Sequence, residues 1–178
     1  MHNLRSIRLK EYDYTQPGAY FVTVCTWTRE NLFGEVVDRD VRLNEKGHIV
    51  EECWNVIPEH FPQIELEAFV VMPNHIHGII VINGNDVVVG ATHASPLRKK
   101  SGPTPKSLGA IVGSFKSAAA RRIKDKVGET GIWQRSYYEH VIRDKKEWDL
   151  IRKYIEANPD NWEQDEENLA RVLWKESR

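Results

Sequence analysis

The sequence predicts an α+β fold of the ferredoxin-like (RRM-like) kind. This is a four-stranded antiparallel sheet with helices on one face, followed by C-terminal helices. Three observations predict it. Stretches rich in β-branched and aromatic residues alternate with helical-period stretches in the order β, α, β, β, α, β, which is the ferredoxin-like unit. The second and third strands are separated by only Met72-Pro73, too short for a crossover, so they pair antiparallel. The chain has 178 residues, 40% hydrophobic and 29% charged, a balance that suits a single globular domain over 1–178.

The elements follow in order. Residues 1–16 form a basic arm carrying Arg5, Arg8 and Lys10, and Pro17-Gly18 is a turn signal. Tyr20 to Trp27 reads as a strand with Tyr20, Val22, Val24 and Thr26 on one face and Phe21, Thr23, Cys25 and Trp27 on the other. Asn31 to Val37 reads as a loop and short strand. Asn44 caps a predicted helix to about His60, whose Ile49, Val50, Cys53, Trp54 and Ile57 recur at helical spacing. Ile64–Val71 and Asn74–Ile82 are the next strands. Residues 83–104, rich in Gly, Asn, Ser, Pro and basic side chains, read as a long flexible loop. Ser107 to about Lys126 is a helix with Leu108, Ile111, Val112, Phe115, Ala119 and Ile123 as its apolar stripe. Ile132 to Ile142 reads as the fourth strand, with Trp133 and Tyr137 on one face and Tyr138 on the other. Asp144 caps a last helix to about Ala157, with Trp148, Ile151 and Ile155 facing the core. Asn158-Pro159 ends it. Residues 161–178 form a C-terminal extension, read as a short amphipathic helix.

Composition excludes several classes. Two cysteines, Cys25 and Cys53, make neither a disulfide framework nor a cysteine-type zinc site, and a reducing, cytoplasmic setting fits. No apolar run approaches the roughly 18 residues of a membrane span, and the polar N-terminus has no signal-peptide pattern. Net charge is −1, so bulk charge says nothing about nucleic acid. Its distribution does: Pro96 to Arg135 carries ten basic side chains against Asp125 and Glu129. Such a segment either meets a polyanion or is a solvated face.

The chemistry centres on Asn74-His75-Ile76-His77-Gly78. On a strand, His75 and His77 point to one face, roughly 7 Å apart along the chain, while Ile76 points into the core. Two imidazoles so placed either share a metal ion or stand unliganded on a sheet face. Tyr154 and Asn158, four apart on a helix, share a face. A tyrosine beside a metal site can attack phosphorus, and an amide oxygen can serve as a further ligand for a hard cation. By spacing alone, Tyr154 is equally readable as a helix-edge tyrosine half packed on the sheet. His140, after the aromatic stretch, reads as packed or hydrogen-bonded, with a contact to DNA or metal as the alternative.

Five stretches in this order resemble the one-tyrosine HUH transposases that act on single-stranded DNA, and most nearly their REP-associated branch. They are Arg5-Ser6-Ile7-Arg8-Leu9 with Tyr12-Asp13-Tyr14; Gly18-Ala19-Tyr20-Phe21-Val22-Thr23; Val71 to Gly78; Trp133-Gln134-Arg135-Ser136-Tyr137-Tyr138-Glu139-His140; and Tyr154-Ile155-Glu156-Ala157-Asn158-Pro159. The resemblance implies a bacterial, cytoplasmic enzyme that nicks and rejoins single-stranded DNA beside a hairpin. It implies Tyr154 as nucleophile, a 5′-phosphotyrosine intermediate, and His75, His77 and Asn158 as ligands to magnesium or manganese. It is compatible with a monomer or a homodimer. For DNA contacts the sequence offers Lys116, Arg121, Arg122 and Arg135 toward phosphates, and Trp133 and Tyr138 toward bases. The competing readings are a hairpin-binding module without chemistry and a metal-dependent or two-histidine phosphodiesterase. The latter needs two His-x-Ser/Thr motifs, of which His93-Ala94-Ser95 is the one present.

Overall fold

Alternation of side chains along one central strand builds the molecule in two layers around its sheet. The computed structural model describes residues 12–84, 106–165 and 167. Strand β1 (Gly18–Cys25) sends Tyr20, Val22 and Val24 into the larger core and Phe21 into a second, smaller one. It is flanked by β5 (His75–Ile82) and β6 (Tyr138–Ile142), and β4 (Ile64–Met72) completes the order β4-β5-β1-β6, all antiparallel. The expected ferredoxin-like topology is therefore present. Most of the arm at 1–16, most of the 83–104 loop with His93, and the C-terminal extension apart from 161–165 and 167 lie outside the described residues.

Helices α1 (Glu45–Asn55) and α3 (Leu108–Val127) cover the larger core. Asn44 caps α1 by accepting from the Lys46 and Gly47 amides at 3.0 and 3.1 Å. The expected single helix to His60 is instead two: α1 gives way at Val56 to the one-turn α2 (Ile57–His60). Pro58 is the reason, because it cannot donate to the Trp54 carbonyl and its ring crowds that carbonyl. Helix α3 buries the stripe expected of it. Its ends are set by Ser107, which accepts from the Ala110 amide, and by Gly128, whose φ of 78° places it in the left-handed region.

Three features depart from the sequence expectation. A hairpin, β2 (Gly34–Val37) with β3 (Asp40–Leu43), occupies the stretch read as a loop and one short strand. Its two-residue turn puts Asp38 and Arg39 at φ 52° and 68°, a conformation usually announced by glycine or asparagine. Second, β6 begins only at Tyr138, although Thr26 and Trp133 form an isolated bridge. Between them the carbonyls of Gln134, Arg135 and Ser136 turn toward Lys116 Nζ at 2.6, 3.2 and 3.4 Å, so they are lost to the ladder. The alternation of Trp133, Tyr137 and Tyr138 on one strand does not hold. Third, the sheet face expected to be free is covered. Helix α4 (Lys145–Glu156), capped by Asp144, packs Trp148, Ile151 and Ile155 against Phe21, Ile79 and Ile142. Among the described residues no helix is long and apolar enough to cross a membrane.

Strand β5 is thus buried on both faces. On the larger-core side Gly78 lies under Trp54, which stacks on Phe69 with centroids 4.6 Å apart. A Cβ at Gly78 would meet Trp54 Cη2 at 2.8 Å and Phe69 Cδ2 at 3.2 Å. Gly78→Ala should therefore cost about 1–3 kcal/mol through overpacking. Urea unfolding checks this, and because the clash is with one ring, Trp54→Phe and Gly78→Ala together should cost less than the sum of their separate effects.

Candidate active site

The site grows from the alternation of β5. His75 and His77 project to the α4 side of the sheet and are 0% and 3% exposed. Although their backbone positions are two residues apart, the rings lean together until the two Nε2 atoms are 3.0 Å apart. Each ring is held from behind. His75 Nδ1 donates to Asn74 Oδ1 at 2.8 Å, and His77 Nδ1 lies 2.8 Å from Thr23 Oγ1. Phe21 stacks on His77 with centroids 5.4 Å apart. If Nδ1 carries the proton on both rings, two Nε2 lone pairs face each other, an arrangement stabilised by a cation between them.

Burial keeps both imidazoles neutral. The pKa of His75 is lowered to about 3, first by desolvation and then by the charge of Arg29, with Asn158 opposing. His77 is held well below the ordinary histidine value by burial and by His75, with Asp165 opposing. Neutral imidazole is the form that ligates metal, so neither ring must first lose a proton at neutral pH.

Oxygen donors complete the group. His75, His77 and Asp165 present ligand atoms all within 4.8 Å of one another, and this group could hold a metal ion. Asp165 Oδ2 lies 3.9 Å from His75 Nε2. Asn158, also buried, lies close enough to favour protonated His75, yet its Oδ1 makes no hydrogen bond. Two ligands at right angles about an ion with bonds of about 2.1 Å sit about 3.0 Å apart, the separation of the two Nε2 atoms. An orphaned buried amide oxygen, a carboxylate and two neutral imidazoles are a donor set that fits a divalent cation.

Tyr154, on α4, stands at the open side. It is 49% exposed, and its hydroxyl is 3.3 Å from His77 Nε2. Phe21 meets its ring edge-on. A cleft of about 430 Å³ opens beside it, lined also by Asn158, Asn161, Gln164, Asp165 and Glu167. The segment after the 3-10 turn Trp162–Gln164 is tied to the sheet end: Arg29 pairs with Glu167 at 2.5 Å, and Asn74 Nδ2 donates to the carbonyls of Arg29 and Glu167 at 2.9 and 2.6 Å.

Of the residues singled out in the sequence, the structure brings together His75, His77, Tyr154 and Asn158. Tyr138 is half-buried on the same sheet face, edge-on to Phe21. Trp133 packs against Phe33 and Phe115, and its indole donates to the Lys116 carbonyl at 3.1 Å. Lys116 is engaged by the three carbonyls described above, and Arg122 is paired with Glu52. Arg121 is exposed on α3, across the sheet from Tyr154, and Arg135 is exposed on the Lys116-held segment. His140 is hydrogen-bonded to Glu147 at 2.5 Å. Sequence reasoning missed Asp165, Asn74 and Thr23. Asn74 and Thr23 were within reach, one as the hairpin residue before His75 and the other on the histidine face of β1. Asp165 follows no periodicity.

No family model matches the chain. It is 41% identical over 170 residues to an uncharacterized protein of Haemophilus influenzae, covering 93% of each. It is 26% identical over 147 residues to a second protein of that organism, provisionally named a REP-associated tyrosine transposase, covering 83% of this chain and 73% of that one. A solved REP-associated tyrosine transposase bound to a REP hairpin superposes with a TM-score of 0.58 at 21% identity, over 84% of this chain and 71% of that one. The chain thus belongs to one family with the uncharacterized Haemophilus influenzae protein, and it has the fold of a REP-associated tyrosine transposase.

Proposed function

We propose that the chain is a metal-dependent transposase-like enzyme that nicks and rejoins single-stranded DNA beside a hairpin, with Tyr154 as nucleophile. The observation that carries this reading is the Tyr154 hydroxyl 3.3 Å from His77 Nε2, at the mouth of a two-histidine pair with buried oxygen donors. The names of the sequence and structural relatives support the substrate class.

The chemistry follows from the placement. Tyr154 Oη forms a bond to phosphorus, and the bond from phosphorus to the 3′ oxygen breaks. The products are a 5′-phosphotyrosine and, once that oxygen takes a proton, a 3′-hydroxyl; the reverse attack rejoins strands. A free phenol has a pKa of about 10, and the half-exposed ring lets its proton leave to water. His75, His77 and an oxygen from Asp165 or Asn158 would hold a divalent ion, Mg²⁺ or Mn²⁺, which would supply charge stabilisation at the scissile phosphate. Asn74 Oδ1 holds the proton of His75 on Nδ1, and Thr23, by accepting from His77 Nδ1, would do the same for the second ring; Phe21 packs against both His77 and Tyr154. Tyr138, on the same face, and Arg135 are the earlier DNA-contact candidates nearest this path. Arg121 lies across the sheet, where only a hairpin stem reaching around the edge meets it.

Two outcomes test the reading. With a 3′-labelled hairpin strand and Mn²⁺, the wild type should give a labelled covalent adduct that survives denaturation, and Tyr154→Phe should give none while keeping its DNA affinity. An adduct from Tyr154→Phe would sink the assignment. Thr23→Val should lower Mn²⁺ affinity by about 10- to 100-fold while leaving the fold intact, as read by calorimetric titration and circular dichroism. Asp165→Ala and Asn158→Ala, titrated alongside, identify the oxygen ligand by the larger loss.

A further inference from the structure

Helix α4 carries more than the tyrosine. At 3.6 residues per turn, Lys146, Leu150, Lys153, Tyr154 and Ala157 fall within one sector of about 100°. The neighbouring sector is the core-facing one of Trp148, Ile151 and Ile155. The far side holds two ion pairs, Lys145 with Asp149 and Arg152 with Glu156, each at 2.9 Å. The helix's basic residues are thereby sorted. Lys145 and Arg152 are neutralised, whereas Lys146 and Lys153, both exposed, have no ion pair among the described residues and flank the tyrosine's sector. Between them stands Leu150, 60% exposed, one turn before Tyr154. The exposed leucine and the two ammonium groups without an ion pair among the described residues thus lie along one ridge of the helix.

We propose that this ridge of α4 is the track for the DNA strand entering the site, a proposal that rests on the strand-nicking reading above. Lys146 and Lys153 bind phosphates adjacent to the scissile one, and Leu150 packs on a sugar or base between them. The ridge spans about 12 Å from Lys146 to Tyr154, a length of a few nucleotides. Its charge is complementary to the phosphate backbone, and its apolar centre to nucleotide faces. The cations of α3 are less suited: Lys116 holds three carbonyls, Arg122 is paired with Glu52, and the helix covers the opposite sheet face.

The test is fluorescence anisotropy of a labelled single-stranded hairpin oligonucleotide across a salt series in EDTA, so that no chemistry is required. Two lost phosphate contacts should flatten the slope of log K against log salt by about 1.4 and weaken binding about 25-fold at 0.1 M salt. Lys146→Ala/Lys153→Ala should show both changes, and the ion-paired control Lys145→Ala/Arg152→Ala neither. Leu150→Asn should weaken binding without altering the slope. If the wild type forms the covalent adduct but Lys146→Ala/Lys153→Ala binds as tightly as the control, the track is wrong and the nicking reading stands. If the double variant loses affinity although the wild type forms no adduct, the track stands and nicking falls. A wild type that binds no single-stranded DNA overturns both.

Discussion

The approach of two imidazole nitrogens to 3.0 Å is the constraint around which the rest of the molecule is arranged. At this separation one Nε2 either donates its proton to the other or both turn lone pairs toward a shared cation. The two nitrogens are brought there by β5, whose pairing with β1 aligns Thr23 with His77 and Cys25 with His75. They are kept there by Thr23 and Asn74 on the far nitrogens. Burial under α4 then removes the option of relieving the contact by protonation, since a charged ring would be stranded away from water. The backbone ladder, the outer hydrogen bonds and the covering helix all act on the same pair of atoms.

Electrostatically the site is divided. Its floor is neutral histidine with buried oxygen donors, a surface that attracts a cation. Its rim combines Glu167 on one side with the exposed Lys153 of α4 on the other. Glu167 is compensated by Arg29, so the carboxylate facing the histidines is Asp165. A phosphate approaching the bare floor would meet this carboxylate, whereas one arriving beside a bound cation would meet net positive charge. In the proposed reaction, metal and strand would therefore favour each other's binding.

The sequence made the strands of the sheet and the shared face of the histidines legible, because strand alternation is a strict period of two and Ile76 and Ile80 mark the core side. It also made the ends of α3 legible, since Ser107 and Gly128 are caps with a direct physical reason. It did not reveal that β6 would stop short at Tyr138. The cause is a single ammonium, Lys116, gathering carbonyls from eighteen to twenty residues away, and no local pattern announces that. Nor did it reveal that α4 would cross to the histidine face, because an apolar stripe says that a helix packs and not which side of a sheet it packs on. Asp165 stayed hidden for a related reason: a lone carboxylate in an aperiodic tail gains meaning only when the chain has returned to the histidines.

The burial of β5 on both faces has a consequence for motion. The strand carrying the histidines lies between two others, beneath Trp54 on one side and α4 on the other, so its amides should exchange with solvent only when the whole domain opens. Tyr154 sits instead on a helix whose fully buried anchor is Ile155 alone. One half of the site is thus as stable as the core, and the other is a surface helix that can open on its own. Tyr154, the proposed nucleophile, can tilt away to admit a strand, or to release one, while the two histidines keep their places. For the proposed reaction, the rate of each cycle would then follow the rocking of α4 and not reassembly of the histidine pair.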